Sequence, residues 1–265
     1  MDRVSRRLVF IASVQGGVIT REQAMEYGMT SAQVRAMVET GRWRRLARGV
    51  YATDLPVWEQ LAWAGLLQAG EGACLGGSAA GYLYGINGQP PQIDIWVPPG
   101  RSVPRRRDTP VPKPVAKAGR SASETGGDPE LERLVHEMWN PWRFHQGVRT
   151  VVGNPPRSCV EETVLDLCEG KLHSHFREED PVIWFQRSYP PMLRGWMRAV
   201  IRPVLDSGLT TVDKLRNTLD ARPQMEGGVL IRWELGQMEQ GLAIGAKRKA
   251  VRRRDPRGKA HPITD

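Results

Sequence analysis

Cysteine is scarce: the 265-residue chain has three, Cys74, Cys159 and Cys168. An odd number without framework spacing excludes the disulfide scaffold of a small secreted domain and fits a reducing cytoplasm. Long apolar runs are also missing. The longest, Leu8–Ala12 and Leu61–Leu67, fall far short of the roughly 20 residues that span a bilayer, so no membrane is expected as a partner. The first residues are basic but lack a long apolar core and a small-residue cleavage site, which argues against a secretory signal. Hydrophobic residues make up 40%, charged residues 25% and aromatics 7%. These proportions describe a globular chain, neither disordered nor collagen-like, of one to two domains.

Acidic charge is in deficit. Lys and Arg number 38 against 29 Asp and Glu, for a net charge of +9 and a pI near 9.9. The imbalance is segmented. Residues 1–55 carry +4, 101–157 carry +5 and 246–265 carry +6, whereas 56–100 and 158–245 carry −3 each. Separated basic blocks favour a polyanionic partner, most often nucleic acid. The competing explanation is solubility combined with high arginine usage.

Local signals at the N-terminus are strong. Val4, Leu8, Ile11 and Ala12 recur at helical spacing and predict a helix over 3–14, stopped by Gly16-Gly17. Thr20 and Gln23 form a capping box that opens a second helix, ended by Gly28. Thr30 and Gln33 form another that opens a third, with Met29 and Val34 as a hydrophobic staple and Gly41 as its stop. Trp43–Leu46 and Gly49–Tyr51 then read as two short strands joined by a turn at Ala47-Arg48. Three short helices and a basic hairpin are the order of a winged helix-turn-helix. Its third helix enters the major groove and its hairpin lies along the backbone. Ser31, Gln33 and Arg35 near the start of the third helix are the candidates for base edges: Arg can fork onto guanine and Gln onto adenine. Arg42, Arg44, Arg45 and Arg48, on and before the hairpin, suit phosphates or the minor groove. Trp43, Leu46, Val50 and Tyr51 are expected to pin the wing to the core. Winged-helix modules that bind only protein are the alternative; the arginines favour double-stranded DNA.

Downstream, the pattern predicts a helix over 56–70, a short strand at Cys74-Leu75, a helix capped by Ser78 and a strand over 92–97. A Pro/Arg-rich loop over 98–130 includes Arg105-Arg106-Arg107. Helix 129–139, strand 143–151 and helix 157–169 follow. Residues 191–221 are expected to hold two helices broken by Pro203 and Gly208, and 229–240 a further helix. From Lys247 the chain is basic and weakly patterned.

The stretches Gly17–Gln23 and Gly41–Tyr51 resemble the N-terminal winged helix of AbiEi-type antitoxins and related actinobacterial regulators. Leu75-Gly76-Gly77-Ser78-Ala79-Ala80, Ile93–Pro98 and Pro155–Leu167 extend the resemblance over most of residues 8–240. It implies a transcriptional regulator that represses its own operon through the winged helix. It also implies opposition to a nucleotidyltransferase-like toxin encoded beside it, without tight contact (type IV). Some relatives of this layout carry a C-terminal domain similar to very-short-patch-repair endonucleases. No acidic pair for a divalent metal follows before Asp265, so the chain is not expected to be an enzyme. A truncated or decayed relative of such nucleases is the alternative reading.

Weaker signals are set aside. Cys168, His173 and His175, with Glu178 and Glu179 nearby, match no standard zinc spacing and lack a second ligand pair, so no metal or other cofactor is expected. Gly76-Gly77-Ser78 grazes a nucleophile elbow without its second glycine. Glu161, Glu162 and Asp166 read as an acidic surface face or as charges favoured by a helix N-terminus, rather than a carboxylate pair for catalysis. The expected protein is α+β and mostly α. A winged helix at 1–55 precedes a mixed α+β middle domain at 56–154, a helical C-terminal domain at 155–245 and a basic tail at 246–265.

Overall fold

The computed structural model describes residues 3–53, 57–102, 141–176 and 191–254. Most of the Pro/Arg-rich loop, the helix expected at 129–139, Glu178, Glu179 and residues 255–265 lie outside the described residues. The protein is α+β, mostly α. It divides into two compact units, Met1–Cys159 and Val160–Asp265. No helix among the described residues is long and apolar enough to cross a membrane.

The first unit opens with α1 (Arg3–Val14), β1 (Val18–Thr20), α2 (Arg21–Glu26), α3 (Ser31–Glu39), β2 (Arg44–Ala47) and β3 (Val50–Ala52). Both predicted capping boxes are present. Thr20 Oγ1 accepts from Gln23 N at 3.1 Å and Gln23 Oε1 from Thr20 N at 2.9 Å. Thr30 and Gln33 repeat the exchange at 3.2 and 2.7 Å. Strand β1 was not foreseen, because three residues are too few to show a period of two. It pairs antiparallel with β3, which pairs antiparallel with β2, giving the order β1-β3-β2. The wing turn falls at Arg48-Gly49, one residue later than expected. Gly49 holds φ at +72°, a conformation that favours glycine. A register irregularity between Arg45 and Ala47 lets Leu46 and Ala47 both turn inward.

The chain continues through α4 (Trp58–Ala69), β4 (Cys74–Leu75), α5 (Gly77–Leu83), β5 (Ile93–Val97), β6 (Trp142–Gln146), β7 (Val151–Val152) and β8 (Arg157–Ser158). The last five strands form a mixed sheet in the order β6-β5-β4-β8-β7, with β5 parallel to β6 and β4 parallel to β8. The predicted strand over 143–151 is thus two strands. Helix α4 lies against both sheets. One core therefore runs from Val18, Leu46, Val50 and Ala52 of the wing, through Trp58, Ala62 and Leu66, to Leu75, Ile93, Ile95 and Trp142. Small residues on α4 allow the close approach. A Cβ at Gly65 would lie 2.3 Å from Ile95 Cδ1 and 2.5 Å from Trp142 Cδ1.

The opposite face of β5 carries a polar network. Asp94, only 4% exposed, accepts from Arg143 Nε at 2.6 Å and lies 2.9 Å from His145 Nε2 on β6. Ser78 Oγ donates to its other oxygen at 2.9 Å. Contrary to expectation, Ser78 is not the cap of α5: Gly76 occupies that position, and the buried carboxylate claims the hydroxyl. Burial alone would raise the Asp94 carboxyl. Hydrogen bonds from His145, Arg143 and Ser78, together with the Arg143 charge, instead hold it down to about 2, against an ordinary 3.8. A folded-state value below the unfolded one stabilises above the unfolded value and is lost as pH falls through the folded one. Asp94→Asn is expected to cost about 2 kcal/mol at pH 7. The difference from the unaltered protein should shrink as pH falls below about 4 and vanish only below about 2. Denaturant titrations of both proteins across that range check it.

The second unit comprises α6 (Val160–Phe176), α7 (Pro191–Asp206), α8 (Val212–Asp220) and α9 (Gly228–Arg254). Leu193, Met197, Ile201 and Val204 follow helical spacing and are buried, as are Leu215, Leu219, Ile231 and Leu235. Pro203 does not break α7, contrary to expectation. Pro203 and Ala199, whose carbonyl loses its partner, are both exposed, so water can satisfy that carbonyl. Nor do the carboxylates at the start of α6 form a surface face. Glu162 is buried and Asp166 half-buried, both against Arg222, and Glu161 accepts from Thr210. Glu161 and Glu162 do occupy the first turn, where the helix dipole favours them. Glu234 is fully buried and holds Arg194 and Arg198 at 3.0 and 2.6 Å. Burial pushes the Cys168 thiol up to about 12, an inert group. The side chains of His173 and His175 lie outside the described residues.

Candidate nucleic-acid interface

Helix α3 separates two clefts of opposite character. Toward α1 lies an apolar cleft of about 730 Å³, lined by Leu8, Val9, Ile19, Met29, Met37 and Trp43, and bordered by Gln33 and Ala36. Toward the wing lies a cationic cleft of about 290 Å³ between Arg21, Ser31, Val34, Arg35, Val38, Arg45 and Tyr51. The second cleft brings together Ser31, Arg35 and Arg45 of the expected set. Residues two apart on a helix point to different sides, so Gln33 parts from Arg35.

Gln33 is also engaged. Its carbonyl oxygen closes the capping box on Thr30 N. A bidentate bond to adenine needs both ends of the amide at once. The oxygen also accepts from Thr30 Oγ1 at 3.2 Å, so with both lone pairs engaged the capping side chain would have to give up a bond to fork onto adenine. Arg35 is exposed and has no such commitment. Arg45 and Arg48 are exposed on the hairpin, Arg42 is exposed in the turn before it, and Arg44 is half-buried opposite Ala52. Trp43 and Tyr51 pack with ring centroids 5.8 Å apart, inside a core cluster with Ile19, Ala24 and Val34. The aromatic residues thus carry the wing, leaving its arginines to solvent.

Arg21 was missing from the expected set. Its backbone N–H donates to Gly49 O at 2.7 Å, tying the start of α2 to the wing turn. Its Nη2 donates to Ser31 Oγ at 2.9 Å. Both partners are distant in sequence, so no local pattern marks Arg21.

Residues 6–53 match the family described as transcriptional regulator, AbiEi antitoxin. The N-terminal segment is similar to AbiEi antitoxins. The match runs from within α1 to the end of β3 and includes every arginine of the cationic cleft and the wing. No curated protein matches the chain. Among solved structures, the chain is similar to the RV2827C protein from Mycobacterium tuberculosis. The TM-score is 0.46 at 14% identity, over 93% of this chain and 82% of that one.

Proposed function

We propose that the protein is a cytoplasmic, antitoxin-like transcriptional regulator that binds an operator in its own promoter and represses it. A nucleotidyltransferase-like toxin is its functional counterpart. The observation that carries this reading is the contrast in how the arginines are neutralised. Arg194, Arg198, Arg202, Arg216, Arg222 and Arg232 of the second unit each lie within ion-pair distance of a carboxylate. Arg21, Arg35, Arg42, Arg44, Arg45 and Arg48 form no ion pair among the described residues. Positive charge left uncompensated on one small domain is the electrostatic footprint of a phosphate backbone.

Within this reading Arg35 reaches base edges from α3, and Arg42, Arg44, Arg45 and Arg48 hold the backbone. Ser31 serves the contact at the start of α3. Gln33 contributes by fixing that start rather than by reading adenine. Arg35→Ala is expected to cost about 1–3 kcal/mol on the promoter duplex and little on a scrambled one. Fluorescence anisotropy with the full chain on both duplexes tests this. Equal weakening on both would remove Arg35 as the reader. Absence of salt-dependent binding to either duplex would sink the DNA reading and leave a protein-interaction module in its place.

A further inference from the structure

We infer that the cleft between α3 and the wing is a seat for a single backbone phosphate of the bound DNA strand, gripped by Arg21 and Arg45 together. This rests on the DNA-binding reading above and adds a ligand site and a residue to it. Three guanidinium groups, Arg21, Arg35 and Arg45, share a cleft of about 290 Å³. Among the described residues no carboxylate lines that cleft, and none of the three forms an ion pair. Like charges gathered without counter-charge are unfavourable in the free protein, and an anion between them relieves the repulsion.

Arg21 is held in advance. Its backbone is fastened to Gly49 of the wing turn, and one of its nitrogens is fastened to Ser31. A guanidinium has five N–H donors, so the bond to Ser31 leaves donors for a phosphate oxygen. Fixing the side chain before binding lowers the entropy lost when the anion arrives. Arg45 approaches from β2, on the wing side of the same cleft. Forked Arg donors match the paired oxygens of a phosphodiester. Arg35 borders the seat from α3 and is left to the adjoining base edge.

The salt dependence of affinity counts phosphates, not arginines: each neutralised phosphate contributes a slope of about 0.9 in log K against log salt. If Arg21 and Arg45 hold one phosphate, the double variant Arg21→Gln/Arg45→Gln should lose about 0.9 of slope. Two separate phosphates would lose about 1.8. The expected result, measured on the full chain with a scrambled duplex from 50 to 300 mM salt, is the smaller loss. Each single change should fall short of it, and Arg21→Lys should stay near the unaltered slope. Circular-dichroism melting of each variant excludes unfolding as the cause, and Ser31→Ala loosens Arg21 without removing its charge. A loss of about 1.8, or a double variant that loses no more slope than Arg45→Gln alone, overturns the shared seat while the DNA reading stands. No salt-dependent binding by the unaltered protein overturns the DNA reading instead. Inorganic phosphate identifies the source of the anion. If millimolar phosphate raises the melting temperature over chloride of equal ionic strength, that rise disappears in Arg21→Gln, and the duplex slope is unmoved, the seat takes free phosphate and not a DNA strand.

Discussion

Replacing Arg44, Arg45 and Arg48 together by Gln is expected to weaken duplex binding about 100-fold at 0.15 M salt, on promoter and scrambled sequences alike. The size follows from counterion release: the phosphates of Arg44 and Arg48, and part of the one that Arg45 shares with Arg21, carry a combined slope between about 1.8 and 2.7, and extrapolation from 1 M to 0.15 M turns this into roughly 30- to 170-fold. The effect should be independent of sequence, because hairpin arginines that touch phosphates position the protein without reading bases. Stability should change little, since Arg45 and Arg48 are exposed and the wing is held by Trp43, Leu46, Val50 and Tyr51. A matched control is available in the second unit. Arg202→Gln, Arg216→Gln and Arg232→Gln together remove the same formal charge from arginines that carboxylates already neutralise. Affinity should then move by no more than about twofold, because the field removed is short-ranged. If the control weakens binding as much as the hairpin variant, net charge and not the wing is responsible.

Trp142→Ala is expected to destabilise the first unit by about 3–5 kcal/mol. Trp142 is 2% exposed, and its indole N–H donates to Leu61 O at 2.7 Å. The substitution therefore removes the largest fully buried side chain of that core and the additional hydrogen bond it gives to a helix carbonyl. Collapse into the void is limited, because Ile95 and Trp142 already meet the bare backbone of Gly65 closely. Differential scanning calorimetry of the full chain should show the earlier transition; a shift equivalent to less than about 1 kcal/mol would mean that the site repacks freely. The wing strands share this core through α4, so salt-dependent DNA binding should be lost at the same lowered temperature.

The parts of this molecule that sequence reveals are those made by near neighbours. The boxes Thr20–Gln23 and Thr30–Gln33 close over three residues, and the staple of Met29 on Val34 over five, so the starts of α2 and α3 are visible without a structure. The basic hairpin is equally local. What escaped depends on distant partners. Ser78 looks like a cap until Asp94, sixteen residues on, takes its hydroxyl. Glu162 and Asp166 look solvated until Arg222 comes to meet them. Pro203 looks like a break until the exposure of its side of α7 is known. The site divides the same way. Arg35, Arg45 and Ser31 were recognisable by residue type and position, but Arg21 enters the cleft only through Gly49 and Ser31. The capping role of Gln33 was legible from the start. Its competition with adenine recognition shows only in the two bonds that the one carbonyl oxygen accepts from Thr30.

The continuous core beneath the wing also limits how the domain can be transplanted. A graft ending after β3 would take Val18, Leu46, Val50 and Ala52 away from α4 and present a fresh apolar face to water. Chimeras that move DNA specificity between such regulators should instead exchange side chains on α3 and the hairpin. Alternatively, they should carry the chain through to Cys159, where the first unit ends. New specificities in such a protein would arise by resurfacing a fixed body rather than by swapping heads.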